Sequence, residues 1–488
     1  MSAVEAGKDP RSPLLEGRRR TKIVATVGPA TRSVETMAEL IRAGADVLRL
    51  NFSHGSRDEH EQNVAMAREA AKLAGREVGL LGDLPGPKLR IDEVEGGIVQ
   101  LHEGSQLTLT TGEDMGAADH LPVSWEGLPS AVKEGDEVYL ADGRVRLRVL
   151  DAGAGEIRCT VEVGGAVASH QGLNVPGTDV QLPSASRTDL DWVDFAVQQG
   201  IDLLAVSFVR RAEDLQPVER RVRVAGADIP LIAKIEKPQA AENAEAIIRA
   251  ALGGIMVARG DLGIELPIER VPTVQKRLLA LAGKHSRPSI TATQMLASMV
   301  ASPRPTRAEV SDVASAIYQG TDAVMLSEET AVGEYPIEAV QMMDRIAREA
   351  EPDLPYGDWV FDRVASEATD VASSVARAAV GSTYTLGLAA IVVPTRSGRT
   401  ARLVSAHRPR TPVLAVSPRL ETVRRLQLLF GVSCMLAEDW ESLRALLDDC
   451  ARLAKEADVA SSGDLIGITA GLPQQKLGTN LFEVHRVP

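Results

Sequence analysis

Short apolar runs that end abruptly in polar residues recur along the chain: TKIVATVGP, DVLRLNFSHG, VGLLGDLPG, DLLAVSFVRR, LIAKIEKPQ, GIMVARGDLG, PSITATQML and DAVMLSEET. Each has the length and content of a buried strand. Between most of them lie segments with helical spacing, such as SVETMAELIRAGA and RTDLDWVDFAVQQG, with Ser33 and Thr188 placed as N-caps. Strands that alternate with helices pair in parallel, and eight such units close a (β/α)8 TIM barrel. In that architecture the C-terminal ends of the strands carry the chemistry.

One interval breaks the rhythm. After Asp83 roughly 100 residues pass before the next helix, far more than a βα loop needs. The interval holds GSQLTLTTG, EGDEVYLADGRVRLRVL and GEIRCTVEVGG, short alternating segments punctuated by glycine, which read as an inserted β-barrel lid domain. Beyond EPDLPYGDW the chain restarts with AAIVVPT, TPVLAVS, VSCML and DLIGITA between helical segments, a separate C-terminal α/β domain. The expected organisation is an α/β protein: a polar leader over 1–20, the barrel over 21–86 and 185–350, the lid over 87–184, and the C-terminal domain over 351–488.

Composition narrows the function. A net charge of -13 argues against a sequence-independent grip on nucleic acid. No apolar run approaches a membrane span, and the leader, including Arg18 to Arg20, reads as a solvated tail. Three widely spaced cysteines, Cys159, Cys434 and Cys450, fit neither a disulfide framework nor a zinc site and suggest a reducing, cytosolic setting.

The strand ends supply the candidate chemistry. In LIAKIEKPQ, Ile232, Lys234 and Glu236 share one face, so a cation and an anion sit together at the C-terminal end. The next unit, MVARGDLG, adds Asp261. Two carboxylates from adjacent strands suit Mg2+ (or Mn2+), which completes its octahedron with water and substrate oxygens, and a lysine beside them suits a phosphate. In DVLRLNFSHG, Arg49, Asn51 and Ser53 have one parity, and Asp83 lies near. Singly these features are ordinary: a Lys-x-Glu pair is more often a solvated ion pair, Asp261 a helix cap, Arg49 a structural partner of Asp83, and Thr293 and Ser327 hydroxyls bonded to backbone. Their convergence on one rim changes the weighing.

Together, TKIVATVGPATRSVETM, LRLNFSHG, DLPGPKLR, IAKIEK, MVARGDLGIE, TATQMLASM, RPTRAEVSDVASAI and TDAVMLSEETAVGEYP resemble the pyruvate kinase family over nearly the whole chain after the leader. The resemblance implies phosphoryl transfer from phosphoenolpyruvate to ADP, giving pyruvate and ATP, in a cytoplasmic homotetramer. It assigns Lys234 to the transferring phosphoryl group and Glu236 and Asp261 to the divalent metal. Arg49, Gly260, Asp261 and Thr293 match substrate contacts, Thr293 lies near the proton delivered to the enolate carbon, and Ser327 is a supporting hydroxyl. Asn51, His54 and Arg90 match nucleotide contacts.

Two departures from the family stand out. Asn51, Ser53, Asp83 and Lys88 mark its monovalent-cation region, but DLPGPK replaces a stretch like DTKGPE, so Leu84 lacks the threonine oxygen and Lys88 supplies a fixed charge. K+ is therefore expected not to be required. In the lid, HQGLNVPG has Gln171 where the family has a nucleotide-binding lysine. The loop PTRSGRTAR, with Thr395, Arg396, Ser397, Gly398, Arg399 and Thr400, mixes donors suited to a phosphorylated effector, although a plain turn leading into a helix explains it nearly as well. Two rivals stay open at this point. One is a barrel lyase acting beside pyruvate enolate, and the other is a metabolite sensor that keeps the scaffold.

Overall fold

All eight apolar runs form strands of one closed parallel barrel: Lys22–Thr26, Val47–Asn51, Gly79–Asp83, Leu203–Val206, Leu231–Ile235, Gly254–Ala258, Ser289–Ala292 and Ala323–Leu326, the last pairing with the first. The computed structural model describes residues 19–112, 115–141, 143–153, 155–176, 183–362, 370–471 and 478–488. Inside the barrel, Val24, Val47, Leu81, Ala205, Ile232, Met256 and Ile290 pack as an apolar layer. Two residues further along the same strands stand Thr26, Arg49, Asp83, Ser207 and Lys234. Because strand side chains repeat every second residue, the barrel is filled by an apolar layer below and a polar one above.

Helix ends follow local chemistry. Ser33 caps Val34–Ala43 by accepting from the Thr36 amide at 3.1 Å. Thr188 is not a cap. Ser186 accepts from the Asp189 amide at 3.0 Å and the Asp189 carboxylate returns to the Ser186 amide at 2.7 Å, a reciprocal box that starts the helix at Arg187 and leaves Thr188 in its first turn.

The lid is all-β. A six-stranded sheet and the pair Ile98–Leu101 with Gly165–Ala168 share one core that includes Leu101, Leu109, Val138, Leu147, Ile157 and Val167. The C-terminal sheet contains the four expected strands and a fifth, Leu481–Arg486, antiparallel at one edge. LFEVHR alternates polar and apolar residues, as an edge strand does, which hid it among runs sought for uniform hydrophobicity.

The expected leader ends too late. Residues 1–18 lie outside the described residues, but Arg19 and Arg20 are part of the barrel floor. Arg19 pairs with Asp344 at 2.8 Å and Asp46 at 2.9 Å, and the Arg20 amide donates to Glu351. Asp46 is fully enclosed. Burial opposes its charge, yet Arg19, Arg76 and Lys22 hold its carboxyl at about 2, below its ordinary 3.8. A depressed folded pKa stabilises the fold above the unfolded value and loses that contribution as the pH falls through the folded one. The shift corresponds to a contribution on the order of 2 kcal/mol, intact at neutral pH, declining below 3.8 and gone below about 2. Urea unfolding of the Asp46→Asn chain at pH 7 and pH 3 is expected to lack this part of the acid sensitivity; an unchanged pH dependence would contradict the assignment.

Candidate active site

The polar layer of the barrel interior is a single charged network. Lys234 Nζ lies 2.8 Å from Glu236 Oε1 and 3.2 Å from Asp83 Oδ1, and it donates to Ser207 Oγ at 2.7 Å. Arg49 grips the other Asp83 oxygen at 2.6 Å and donates to Thr26 Oγ1 at 3.1 Å. Glu236 Oε2 accepts the Phe208 amide at 2.7 Å, from a residue held at φ +55. Positive φ on a bulky residue is uncommon and fixes where that amide points.

Burial and charge oppose each other here. Burial disfavours the Lys234 ammonium, but Asp83, Glu236 and Asp261 outweigh it and hold its pKa above the ordinary lysine range. Asp83 is likewise buried, yet Lys234 and Arg49 keep its pKa below normal. Glu236 goes the other way, raised by burial and by the nearby Asp261 charge despite Lys234. Among the described residues no group of three or more metal-ligating side chains occurs. Two neighbouring carboxylates, Asp261 on the cavity wall and Glu236 buried beside Lys234, are a donor set that suits Mg2+, because it keeps several waters and shares substrate oxygens.

Next to this network opens a cavity of about 820 Å3, lined by Gly260, Asp261, Thr293 and Ser327 from the barrel and by Lys88, Glu137 and Tyr139 from the lid. Thr293 sits at φ +69, a conformation that strains a β-branched residue. Its Oγ1 accepts from the Gly260 amide at 2.8 Å. Arg259 holds the turn in place, donating to the Thr293 carbonyl at 2.8 Å and pairing with Asp312 at 2.6 Å. Ser327 Oγ is buried without a hydrogen-bond partner among the described residues, while the Ser327 amide is fixed by Glu329 at 2.7 Å. A hydroxyl left unpaired at a cavity wall is available to a ligand.

The remaining candidates are placed unevenly. Lys88 Nζ lies 3.6 Å from Asp261 Oδ1, and its stem passes so close to Gly172 that a Cβ there would collide with it. Leu84 is buried. Asn51 Oδ1 accepts the Ser53 amide at 3.3 Å, and the His54 carbonyl bonds the His60 ring at 2.8 Å. Behind that loop Phe52 stacks on Trp192 with centroids 4.5 Å apart. Arg90 donates to the His170 carbonyl at 2.8 Å, tying together the two chain crossings into the lid. Gln171 is turned into its own bend, its Oε1 accepting from the Ala168 amide at 2.9 Å. In the C-terminal loop, Thr395 accepts from the Gly398 amide, Arg396 pairs with Asp439 at 2.7 Å, Arg399 pairs with Asp370 at 3.1 Å, and Thr400 bonds Thr479.

Sequence reasoning missed Ser207, Thr26, Arg259 and Glu329, the groups that hold the candidates in place. Ser207 and Thr26 were within reach of the parity argument, since each stands two residues beyond an inward apolar position. Arg259 and Glu329 act from the first residues of short helices, Arg259–Glu265 and Glu328–Ala331, just beyond the strand ends where the strand period stops.

Comparison with known proteins gives the same picture. The family description "Pyruvate kinase, barrel domain" matches residues 18–340, and "Pyruvate kinase, alpha/beta domain" matches residues 373–485. A pyruvate kinase of Geobacillus stearothermophilus is 43% identical over 472 residues, covering 96% of this chain and 80% of the relative. Pyruvate kinase 2 of Synechocystis sp. is 43% identical over 474 residues, covering 96% and 79%. A solved pyruvate kinase from Cryptosporidium parvum superposes with a TM-score of 0.90 at 35% identity, covering 96% of each chain. This chain belongs to the pyruvate kinase family of phosphotransferases.

Proposed function

We propose that the chain transfers the phosphoryl group of phosphoenolpyruvate to ADP in a Mg2+-dependent reaction at the barrel mouth, as a cytoplasmic enzyme of glycolysis. The observation that carries this reading is the convergence of Lys234, Glu236 and Asp83 within ion-pair distance beside a cavity that also holds Asp261, Thr293 and Ser327. Glu236 and Asp261 would hold the divalent ion, which supplies charge neutralisation for the phosphoryl and enolate oxygens when bound. Lys234 steadies the phosphoryl oxygens. At about 4 Å and an effective dielectric of 20, its charge is worth on the order of 4 kcal/mol to a unit of developing charge. Arg49 binds phosphate from the barrel wall, and the backbone of Gly260 and the side chain of Thr293 contact the substrate. Thr293 stands where a proton would reach the enolate carbon, and Ser327 supports it. Asn51, His54 and Arg90 form the nucleotide side. The lid, facing the same cavity through Glu137 and Tyr139, would exclude water. The test is pyruvate formation by the purified chain with phosphoenolpyruvate, ADP and Mg2+; no turnover would remove the reading, and both rivals would return.

The reading includes independence from K+. Buried Leu84 offers no side-chain oxygen, and Lys88 brings a permanent charge to the same mouth. Activity in tetramethylammonium buffer is expected to change less than about twofold when K+ is added, and Lys88→Glu to make it K+-dependent. Stimulation of the unaltered chain by about tenfold or more would contradict this.

Regulation and assembly complete the proposal. The Thr395–Thr400 loop takes a phosphorylated effector by exchanging the carboxylates now on Arg396 and Arg399 for phosphate oxygens. A homotetramer with two kinds of interface is supported by exposed apolar side chains on the barrel, including Ile268, Tyr318 and Val332, and on the C-terminal domain, including Tyr384 and Leu386. No helix of the described residues is long and apolar enough to cross a membrane. The three cysteines are free thiols, which suits a reducing compartment.

A further inference from the structure

One buried carboxylate joins three segments of the candidate site. Glu265 ends the helix Arg259–Glu265, and its side chain is only 3% exposed. It accepts from Asn174 Nδ2 at 3.2 Å and pairs with Lys237. Asn174 belongs to the lid, where it is buried and stands opposite Tyr139 in the antiparallel pairing of Leu173–Asn174 with Glu137–Leu140. Lys237 directly follows Glu236, and its ammonium lies 5.8 Å from the centre of the ring of Phe208, the residue whose amide holds Glu236.

Glu265 stands four residues after Asp261, one helical turn further along the same face. The helix thus carries Gly260 and Asp261 near its start and the tether at its end. A second contact lies beside the first, where the lid turn at Gly143 comes close enough to Ile264 that a Cβ there would touch it at 3.6 Å. A carboxylate out of water needs its cation and a buried amide needs its acceptor, so moving the lid, the helix or the Glu236 segment alone strands one of these groups. The three segments move together or at a cost.

We propose that Glu265 is a positioning residue: through Asn174 it makes the placement of Asp261 and Glu236 depend on the placement of the lid. When the lid swings, Asn174 draws on a carboxylate that sits one turn from Asp261 and whose other partner, Lys237, is next in the chain to Glu236. The two acids then take their working separation only with the lid in place. One movement both assembles the substrate end of the cavity and excludes water from it. The purpose of the joint rests on the phosphoryl transfer proposed above, while the joint itself is a property of the free chain.

The test is hydrogen exchange of the free, full-length chain, read by mass spectrometry over Glu137–Leu140 and Arg259–Glu265, together with steady-state kinetics. Asn174→Ala alters only the lid, yet it is expected to speed amide exchange in Arg259–Glu265 at least about fivefold. Glu265→Ala is expected to speed exchange in both segments by a similar factor. It is also expected to lower kcat at least about tenfold while the KM for phosphoenolpyruvate changes less than about threefold. Glu265→Gln, which keeps an acceptor for both donors, is expected to bring kcat back to within about threefold of the unaltered chain. A carboxylate that only stabilised the fold would shift the urea midpoint and leave kcat alone. Helix exchange unmoved by Asn174→Ala, kcat unmoved by Glu265→Ala, a loss carried by KM instead, or Glu265→Gln as slow as Glu265→Ala would each overturn the joint. If the chain forms no pyruvate while Asn174→Ala loosens the helix, the reaction falls and the joint stands; an active chain whose helix ignores Asn174→Ala reverses this.

Discussion

Lys234→Met is expected to lower turnover for pyruvate formation about a thousandfold while leaving measurable proton exchange at the methyl group of pyruvate. The magnitude follows from the ammonium's place: it is buried, held charged by Asp83 and Glu236, and aimed from the same interior face as Arg49. Phosphoryl transfer spreads negative charge over oxygens near this point and leaves little covalent work for the protein, so a missing fixed charge is felt almost entirely in the barrier. Proton exchange makes a different demand. It needs the metal-side carboxylates and the Thr293 region, which the substitution leaves in place. Both reactions can be followed on one preparation, by coupled pyruvate detection and by loss of deuterium from labelled pyruvate. Equal loss of both would show that the lysine serves substrate binding or folding and not the transfer step. Thermal unfolding separates those two, since removing the cation strips buried Glu236 of its ammonium partner and leaves Asp83 with Arg49 alone.

Arg408→Met is expected to destabilise the chain by about 3–5 kcal/mol, the cost of breaking a buried ion pair from one side. Arg408 belongs to the C-terminal domain, is 0% exposed, and reaches into the barrel floor to pair with Asp322 at 2.8 Å. It also donates to the Gly320 carbonyl at 2.7 Å and stands 4.1 Å over the Phe430 ring. The second Asp322 oxygen holds the amide and hydroxyl of Ser289 at 3.0 and 3.1 Å. One guanidinium therefore ties the C-terminal domain to the starts of the two strands whose far ends lead to Thr293 and Ser327. Urea unfolding measures the loss, and the double substitution Arg408→Met with Asp322→Asn is expected to cost less than the sum of the two singly. A change within about 1 kcal/mol for Arg408→Met would mean that water or a neighbouring group replaces the pair without penalty.

Period-2 alternation made the barrel interior legible. In LIAKIEKPQ and DVLRLNFSHG the apolar residues Ile232 and Val47 shared a face with Lys234 and Arg49, and the structure puts the first pair in the lower layer and the second directly above. Arg49 turned out to serve Asp83, the structural partnership weighed against its phosphate role, and the two uses are compatible because the ion pair aims the guanidinium. What the pattern did not reveal was anything fixed by backbone conformation or by a distant segment. Thr293 adopts a left-handed φ that threonine disfavours, so no propensity argument finds it. Arg408 sits in AHRPRTP, which reads as a polar connector until the barrel floor it enters is known. Arg19 looked like the end of a tail because its partners, Asp46 and Asp344, lie far along the chain.

The lid posed a different problem. Its strands were visible as alternating segments, but Gln171 was read by position as a weakened nucleotide contact, and its side chain instead closes its own bend. Lys88 was read as a substitute for a monovalent ion, and its ion pair is with Asp261, the carboxylate expected to take the divalent one.

Titration of Mn2+ against the purified chain, followed by electron paramagnetic resonance with and without phosphoenolpyruvate, tests the central claim most directly. One site per chain is expected, tightened by phosphoenolpyruvate, and weakened by about a hundredfold in both Glu236→Gln and Asp261→Asn. Unaltered Mn2+ affinity in either variant would contradict the account, because the two acids beside Lys234 would then not be what grips the metal.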